Sequence, residues 1–132
     1  MSGQRILVAE DDPASLELVQ VYLESRGYEV ATATDGNRAL DLGASGEFDL
    51  LILDVHMPLY DGLEVLQMLR QRLASHQIKI IALTGDTRWA LRADMKQAGV
   101  DSYMIKPVSL AQLGADVARL LGQTPPGPSA TP

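Results

Sequence analysis

Between Arg5 and Leu121 the apolar residues follow two alternating patterns. Short unbroken runs, Ile6-Leu7-Val8-Ala9, Leu50-Leu51-Ile52-Leu53, Ile80-Ile81-Ala82-Leu83 and Tyr103-Met104-Ile105, read as strands buried on both faces, which is how strands of a parallel sheet read. Between them apolar residues recur at helical spacing, three and four positions apart. Strand and helix signals in strict alternation predict an α/β fold, a parallel sheet with crossover helices.

The punctuation places the elements. Asp12 is set to cap a first helix and Pro13 to occupy its first turn; Leu16, Val19 and Leu23 mark its buried face and Gly27 ends it. Tyr28 to Ala33 is a second strand, more polar and so nearer an edge. Asp35-Gly36 reads as a turn before a short helix over Arg38 to Ala44, which stops before Gly46. The third strand starts at Phe48 or Asp49 and ends at Leu53. A third helix follows Asp61-Gly62 with Val65, Leu66, Leu69 and Leu73 as its stripe; Ile78 to Leu83 is the fourth strand; Leu91, Met95 and Ala98 line a fourth helix closed by Gly99. Asp101 to Ile105 is the fifth strand. Leu110, Leu113, Val117, Leu120 and Leu121 form the stripe of a fifth helix, which Gly122 terminates.

Four of the strand runs stop on polar residues: Glu10-Asp11-Asp12, Asp54, Thr84 and Lys106. In an open parallel sheet the ligand site lies just beyond the carboxyl ends of the strands, so acids, a hydroxyl and an amine converge on one crevice. Carboxylates packed together repel one another unless a cation sits among them or one of them holds a proton, and a small cation of high charge density is the simplest solution. The pattern predicts a metal site beside a separate carboxylate.

Composition narrows the function. The chain has 132 residues, enough for one domain. Its formal charge is −6, with no basic stripe, which argues against binding nucleic acid or an anionic membrane through phosphate contacts. Without cysteine there is no disulfide or thiolate chemistry. No apolar run approaches the ~20 residues of a membrane span, and a cytoplasmic location is the default expectation. After Gly122 the sequence turns to Pro, Gly, Ser and Thr, so residues 1–122 are expected to form the domain and 123–132 a flexible tail or severed linker.

With these residues in this order, the chain resembles the receiver domain of two-component response regulators. Four motifs carry the likeness: Ile6-Leu7-Val8-Ala9-Glu10-Asp11-Asp12-Pro13, Asp54-Val55-His56-Met57-Pro58-Leu59-Tyr60-Asp61-Gly62, Leu83-Thr84-Gly85, and Tyr103-Met104-Ile105-Lys106-Pro107. The resemblance implies a flavodoxin-like doubly wound sheet of order 2-1-3-4-5 with five helices. It also implies a phosphorylation-dependent signalling switch rather than an enzyme.

By the same resemblance Asp54 is the phosphoacceptor, taking a phosphoryl group from a histidine of a kinase or phosphotransfer domain. Glu10, Asp11, Asp54 and the backbone carbonyl of His56 would hold Mg²⁺, with Asp11 the stronger candidate for direct ligation and Glu10 for contact through water. Lys106 would pair with the phosphoryl oxygens and Thr84 would hydrogen-bond one of them. Phosphoryl transfer asks a protein chiefly for positioning and charge neutralisation, which such a set supplies. Thr84 and Tyr103 would form the switch, altering the surface of the fourth helix, fifth strand and fifth helix, through which output passes; a homodimer is left open. His56, Gly85 and Asp86 occupy positions that modulate how fast phosphate is gained and lost.

Blander readings stand beside these. Thr84 could cap a turn, Lys106 could be solvated, and Tyr103 could be simple core. Trp89 lies away from the buried stripe of its helix and could contact a partner or pack on a loop. A haloacid-dehalogenase phosphatase would need Asp-x-Asp where the chain has Asp54-Val55-His56, and a nucleotide module would need a Gly-rich cradle where Glu10-Asp11-Asp12 repels phosphate. The remaining alternative is a non-phosphorylated receiver-like scaffold that binds proteins.

Overall fold

A computed structural model describes residues 4–55, 62–72, 78–85 and 99–122 of the chain. In order they form β1 (Arg5–Ala9), α1 (Pro13–Ser25), β2 (Glu29–Ala33), α2 (Gly36–Gly43), β3 (Leu50–Asp54), α3 (Gly62–Arg72), β4 (Lys79–Thr84), β5 (Ser102–Ile105) and α4 (Leu110–Leu120). The described residues thus hold four helices, and α4 is the fifth helix expected from the sequence. The expected fourth helix, with Leu91, Met95 and Ala98, lies outside the described residues, as do His56, Asp86, Trp89 and the tail from 123.

All neighbouring strands are parallel, in the order β2-β1-β3-β4-β5. Because successive side chains of a strand point to opposite faces, the unbroken apolar runs feed two cores at once. Leu7, Ala9, Leu51, Leu53 and Ile80 pack with Leu40 of α2 and Val65, Leu66 and Leu69 of α3. Ile6, Val8, Leu50, Ile52, Ile81 and Leu83 pack on the other face with Val19 and Leu23 of α1 and Leu113 and Val117 of α4. α1 and α4 share this second face, and they meet closely: a Cβ on Gly114 would fall 3.2 Å from ring carbons of Tyr22.

The helix starts follow from side-chain capping. Asp12 Oδ2 accepts the Ser15 N–H at 3.0 Å, with Pro13 in the first turn as expected. The same device corrects the reading of α2. Asp35 is no mere turn residue: its Oδ1 accepts the Arg38 N–H at 2.9 Å, so the helix opens at Gly36, two residues before Arg38. Gly27 and Gly122, at φ of 96° and 75°, supply the left-handed residue that follows α1 and α4.

Two acids expected within or at the start of strands do something else. Asp49 donates its N–H to the Arg5 carbonyl at 2.8 Å while its Oδ2 accepts the Arg5 N–H at 2.9 Å. Asp101 does the same to Ile80, its N–H meeting the carbonyl at 2.8 Å and its Oδ2 accepting the N–H at 2.7 Å. A side chain that takes over a ladder hydrogen bond stands just outside the strand, which is why β3 starts at Leu50 and β5 at Ser102. Both clamps lie at the amino-terminal edge of the sheet.

Candidate functional site

The opposite edge collects the polar residues. The register sets Ala9 beside Leu53, Asp54 beside Leu83 and Thr84 beside Ile105, so the residues that end or follow β1, β3, β4 and β5 arrive together. Backbone bonds hold them there. Glu10 donates its N–H to the Ala33 carbonyl at 2.9 Å, Val55 to Leu83 at 3.0 Å, and Lys106 to Thr84 at 2.7 Å. The Lys106-Pro107 peptide is cis.

Lys106 Nζ bridges two buried carboxylates, 2.9 Å from Glu10 Oε1 and 3.0 Å from Asp54 Oδ2. The other oxygen of Glu10, Oε2, accepts the Asp12 N–H at 3.1 Å. Thr84 is fully buried beside them and Asp11 is exposed. Burial pushes the Glu10 carboxyl above the usual carboxylate range; the Lys106 ammonium pulls the other way, and Asp54 reinforces the rise. For Lys106 burial alone would lower the value, but its bonds to Glu10 and Asp54 outweigh it and hold the amine above the ordinary lysine range.

Glu10, Asp11 and Asp54 each offer a carboxylate oxygen, and these oxygens lie within 4.8 Å of one another. An all-oxygen, anionic donor set of this kind suits a hard cation such as Mg²⁺, which takes few protein ligands and keeps several waters. Of the residues singled out in the sequence, Glu10, Asp11, Asp54, Thr84 and Lys106 are therefore brought to one place. Gly85 follows Thr84, and a methyl group there would meet none of the described residues within 4 Å. Tyr103 is 45% exposed, which excludes the core reading for its ring. His56 and Asp86 lie outside the described residues.

Sequence reasoning missed the contacts of Lys106 with Glu10 and Asp54, since it paired the lysine only with the incoming phosphoryl oxygens. It also missed a groove of about 430 Å³ beside the site, between α1 and the start of α4, walled by Leu18, Val108 and Leu110 and reaching Glu10 and Lys106. Leu18 falls off the buried stripe of Leu16, Val19 and Leu23 and is left exposed on the wall of this groove.

A family model of the response regulator receiver domain matches residues 6–118. The chain belongs to that family. Response regulator MprA of Mycolicibacterium vanbaalenii is 42% identical over 122 residues, covering 92% of this chain and 52% of that protein, and MprA of Mycobacterium tuberculosis matches equally well. The receiver chain thus spans about half the length of these curated relatives. Among solved structures, a CheY-like receiver domain protein from Methanospirillum hungatei has a TM-score of 0.83 at 29% identity, covering 90% of this chain and 94% of that one. The receiver domain of sensor histidine kinase PA1611 from Pseudomonas aeruginosa, with a magnesium ion coordinated in the active site cleft, has a TM-score of 0.79 at 31% identity, covering 92% and 99%. Response regulator protein TrrA of Thermotoga maritima, in complex with Mg(2+)-BeF, has a TM-score of 0.80 at 36% identity, covering 89% and 99%.

The flavodoxin-like fold and the membership agree, and a receiver domain is a phosphorylation-dependent switch of two-component signalling. No helix among the described residues is long and apolar enough to cross a membrane.

Proposed function

We propose that Asp54 is the phosphoacceptor of this receiver, taking its phosphoryl group from a histidine on a kinase or phosphotransfer domain. The observation that carries the proposal is a buried carboxylate at a strand end whose Oδ2 already has an ammonium 3.0 Å away. An oxygen of Asp54 attacks phosphorus, an O–P bond forms and the N–P bond of the phosphohistidine breaks. The electron pair stays on the imidazole nitrogen, which takes a proton from solvent.

Around that step the chain supplies position and charge. Lys106 neutralises the phosphoryl oxygens from where it now meets Asp54, and the Thr84 hydroxyl donates to one of them. Asp11, Asp54 and Glu10 would hold Mg²⁺, which would neutralise further charge on those oxygens when bound. The product carries about −1.5 to −2 charge in place of one carboxylate. Recruiting Thr84 toward it frees room for Tyr103 to turn inward, and the surface of β5, α4 and the segment preceding Gly99 passes the change to an effector in the cytoplasm. The chain is a switch that assists its own phosphorylation, not a turnover catalyst.

The test is intact mass after incubation with acetyl phosphate and Mg²⁺, for wild type and Asp54→Ala. A phosphoryl mass gained only with Mg²⁺ and absent in Asp54→Ala is the expected result. No gain, with beryllofluoride also failing to bind, would overturn the proposal in favour of a protein-binding scaffold.

A further inference from the structure

From the two bonds made by Glu10 we infer that this residue positions Lys106 for phosphoryl transfer, beyond any share it takes in holding a cation; this rests on Asp54 being the phosphoacceptor. Glu10 is 2% exposed, and each of its oxygens has a fixed partner. Oε1 accepts from Lys106 Nζ at 2.9 Å and Oε2 from the Asp12 N–H at 3.1 Å. The second bond fixes the carboxylate to the turn between β1 and α1, and Asp12 is itself fixed as the α1 cap through Ser15. The lysine is therefore tied through Glu10 to a rigid helix start.

That tie matters when Asp54 reacts. Lys106 has two carboxylate partners, and the reaction converts one of them into an acyl phosphate. As the Asp54 oxygen bonds to phosphorus, its negative charge passes into the phosphoryl group, and the ammonium must stay to meet it. With Asp54 as sole partner, a lysine on a flexible four-carbon stem would have many positions open to it at that moment. Glu10 removes those positions in advance, and alignment before the barrier is where an enzyme-like site gains rate. Glutamine cannot replace it. An amide has one acceptor oxygen and a nitrogen that only donates, so Glu10→Gln would present a donor either to the Lys106 ammonium or to the Asp12 N–H.

The test separates a role through the lysine from a role through the metal. Magnesium affinity is measured by calorimetry for wild type, Glu10→Gln, Lys106→Met and the double variant, and phosphoryl uptake from acetyl phosphate is then timed at saturating Mg²⁺ for each. In this assay the P–O bond to acetate breaks and acetate leaves with the electron pair. At saturation Glu10→Gln should remain slower by about tenfold or more, the loss expected for a hydrogen bond to a charged group, and the double variant should be no slower than Lys106→Met alone. Recovery of the wild-type rate by Glu10→Gln at saturating Mg²⁺, or independent multiplication of the two defects, would overturn the inference. Absence of uptake by wild type would instead overturn the assignment of Asp54.

Discussion

Lys106 and Asp54 are fifty-two residues apart in sequence, yet the lysine Nζ lies 3.0 Å from the aspartate Oδ2. The contact follows from strand order: β5 and β3 both flank β4, and each ends at the same edge. It joins the only cation to the most buried acids of the site among the described residues.

Removing that cation should weaken the metal-free fold. Lys106→Met leaves Glu10 and Asp54 buried without their shared donor, a loss of about 2 kcal/mol on the scale of hydrogen bonds to charged groups. Urea unfolding without Mg²⁺ should show a lower midpoint with an unchanged slope. A midpoint equal to wild type would mean that the ion pair contributes nothing to stability.

The raised values of Glu10 and Lys106 give stability a pH dependence of definite sign. For both, the contribution tied to the proton is fully present below the ordinary value and is lost as pH rises through the higher folded value. As pH rises above about 4.3 the stability of metal-free wild type should therefore fall relative to Glu10→Gln, and above about 10.4 it should fall relative to Lys106→Met. Denaturant midpoints of the three proteins across pH decide it. Wild type gaining on Glu10→Gln through the lower window would show that Lys106 outweighs burial at Glu10.

Magnesium should stabilise the fold by linkage. At a concentration one hundred times the dissociation constant the gain is about 2.7 kcal/mol, visible as a rise in Tm. Asp11→Ala should abolish most of that rise without lowering the metal-free Tm, because Asp11 is exposed. An undiminished rise would remove Asp11 from the candidate ligands.

Gly114→Ala should destabilise, although alanine ordinarily favours a helix by about 1 kcal/mol over glycine. The new methyl meets the Tyr22 hydroxyl and ring, and overpacking of that kind costs about 1–3 kcal/mol. Tyr22→Phe removes the nearest atom, so the double variant should recover part of the loss. Thermal melts of the two single variants and the double variant test this, and a more stable Gly114→Ala would show that α1 and α4 can separate freely.

Much of this is legible in the chain. The runs Ile6 to Ala9 and Leu50 to Leu53 announce strands buried on both faces, and Asp12-Pro13 announces a helix start, because burial and capping leave local marks. Asp35 is misread because a turn aspartate and a helix cap look alike until the Arg38 N–H is seen to point at it. Asp49 and Asp101 are misplaced because a side chain that imitates a ladder bond has no sequence period. At the site, the residue types and their meeting are readable from strand ends; the bond from Lys106 to Glu10 is not, since ninety-six residues separate them and only packing decides which acids a lysine reaches.

The clamps of Asp49 on Arg5 and Asp101 on Ile80 have a consequence for how such a molecule can vary. A slip of one residue would turn every side chain of a strand to the wrong face. Here alignment is pinned at the end of the sheet remote from Lys106 and Asp54. The chemical end is thereby spared holding the strands alone, so its loops can be exchanged for those of another receiver while the frame stays as it is.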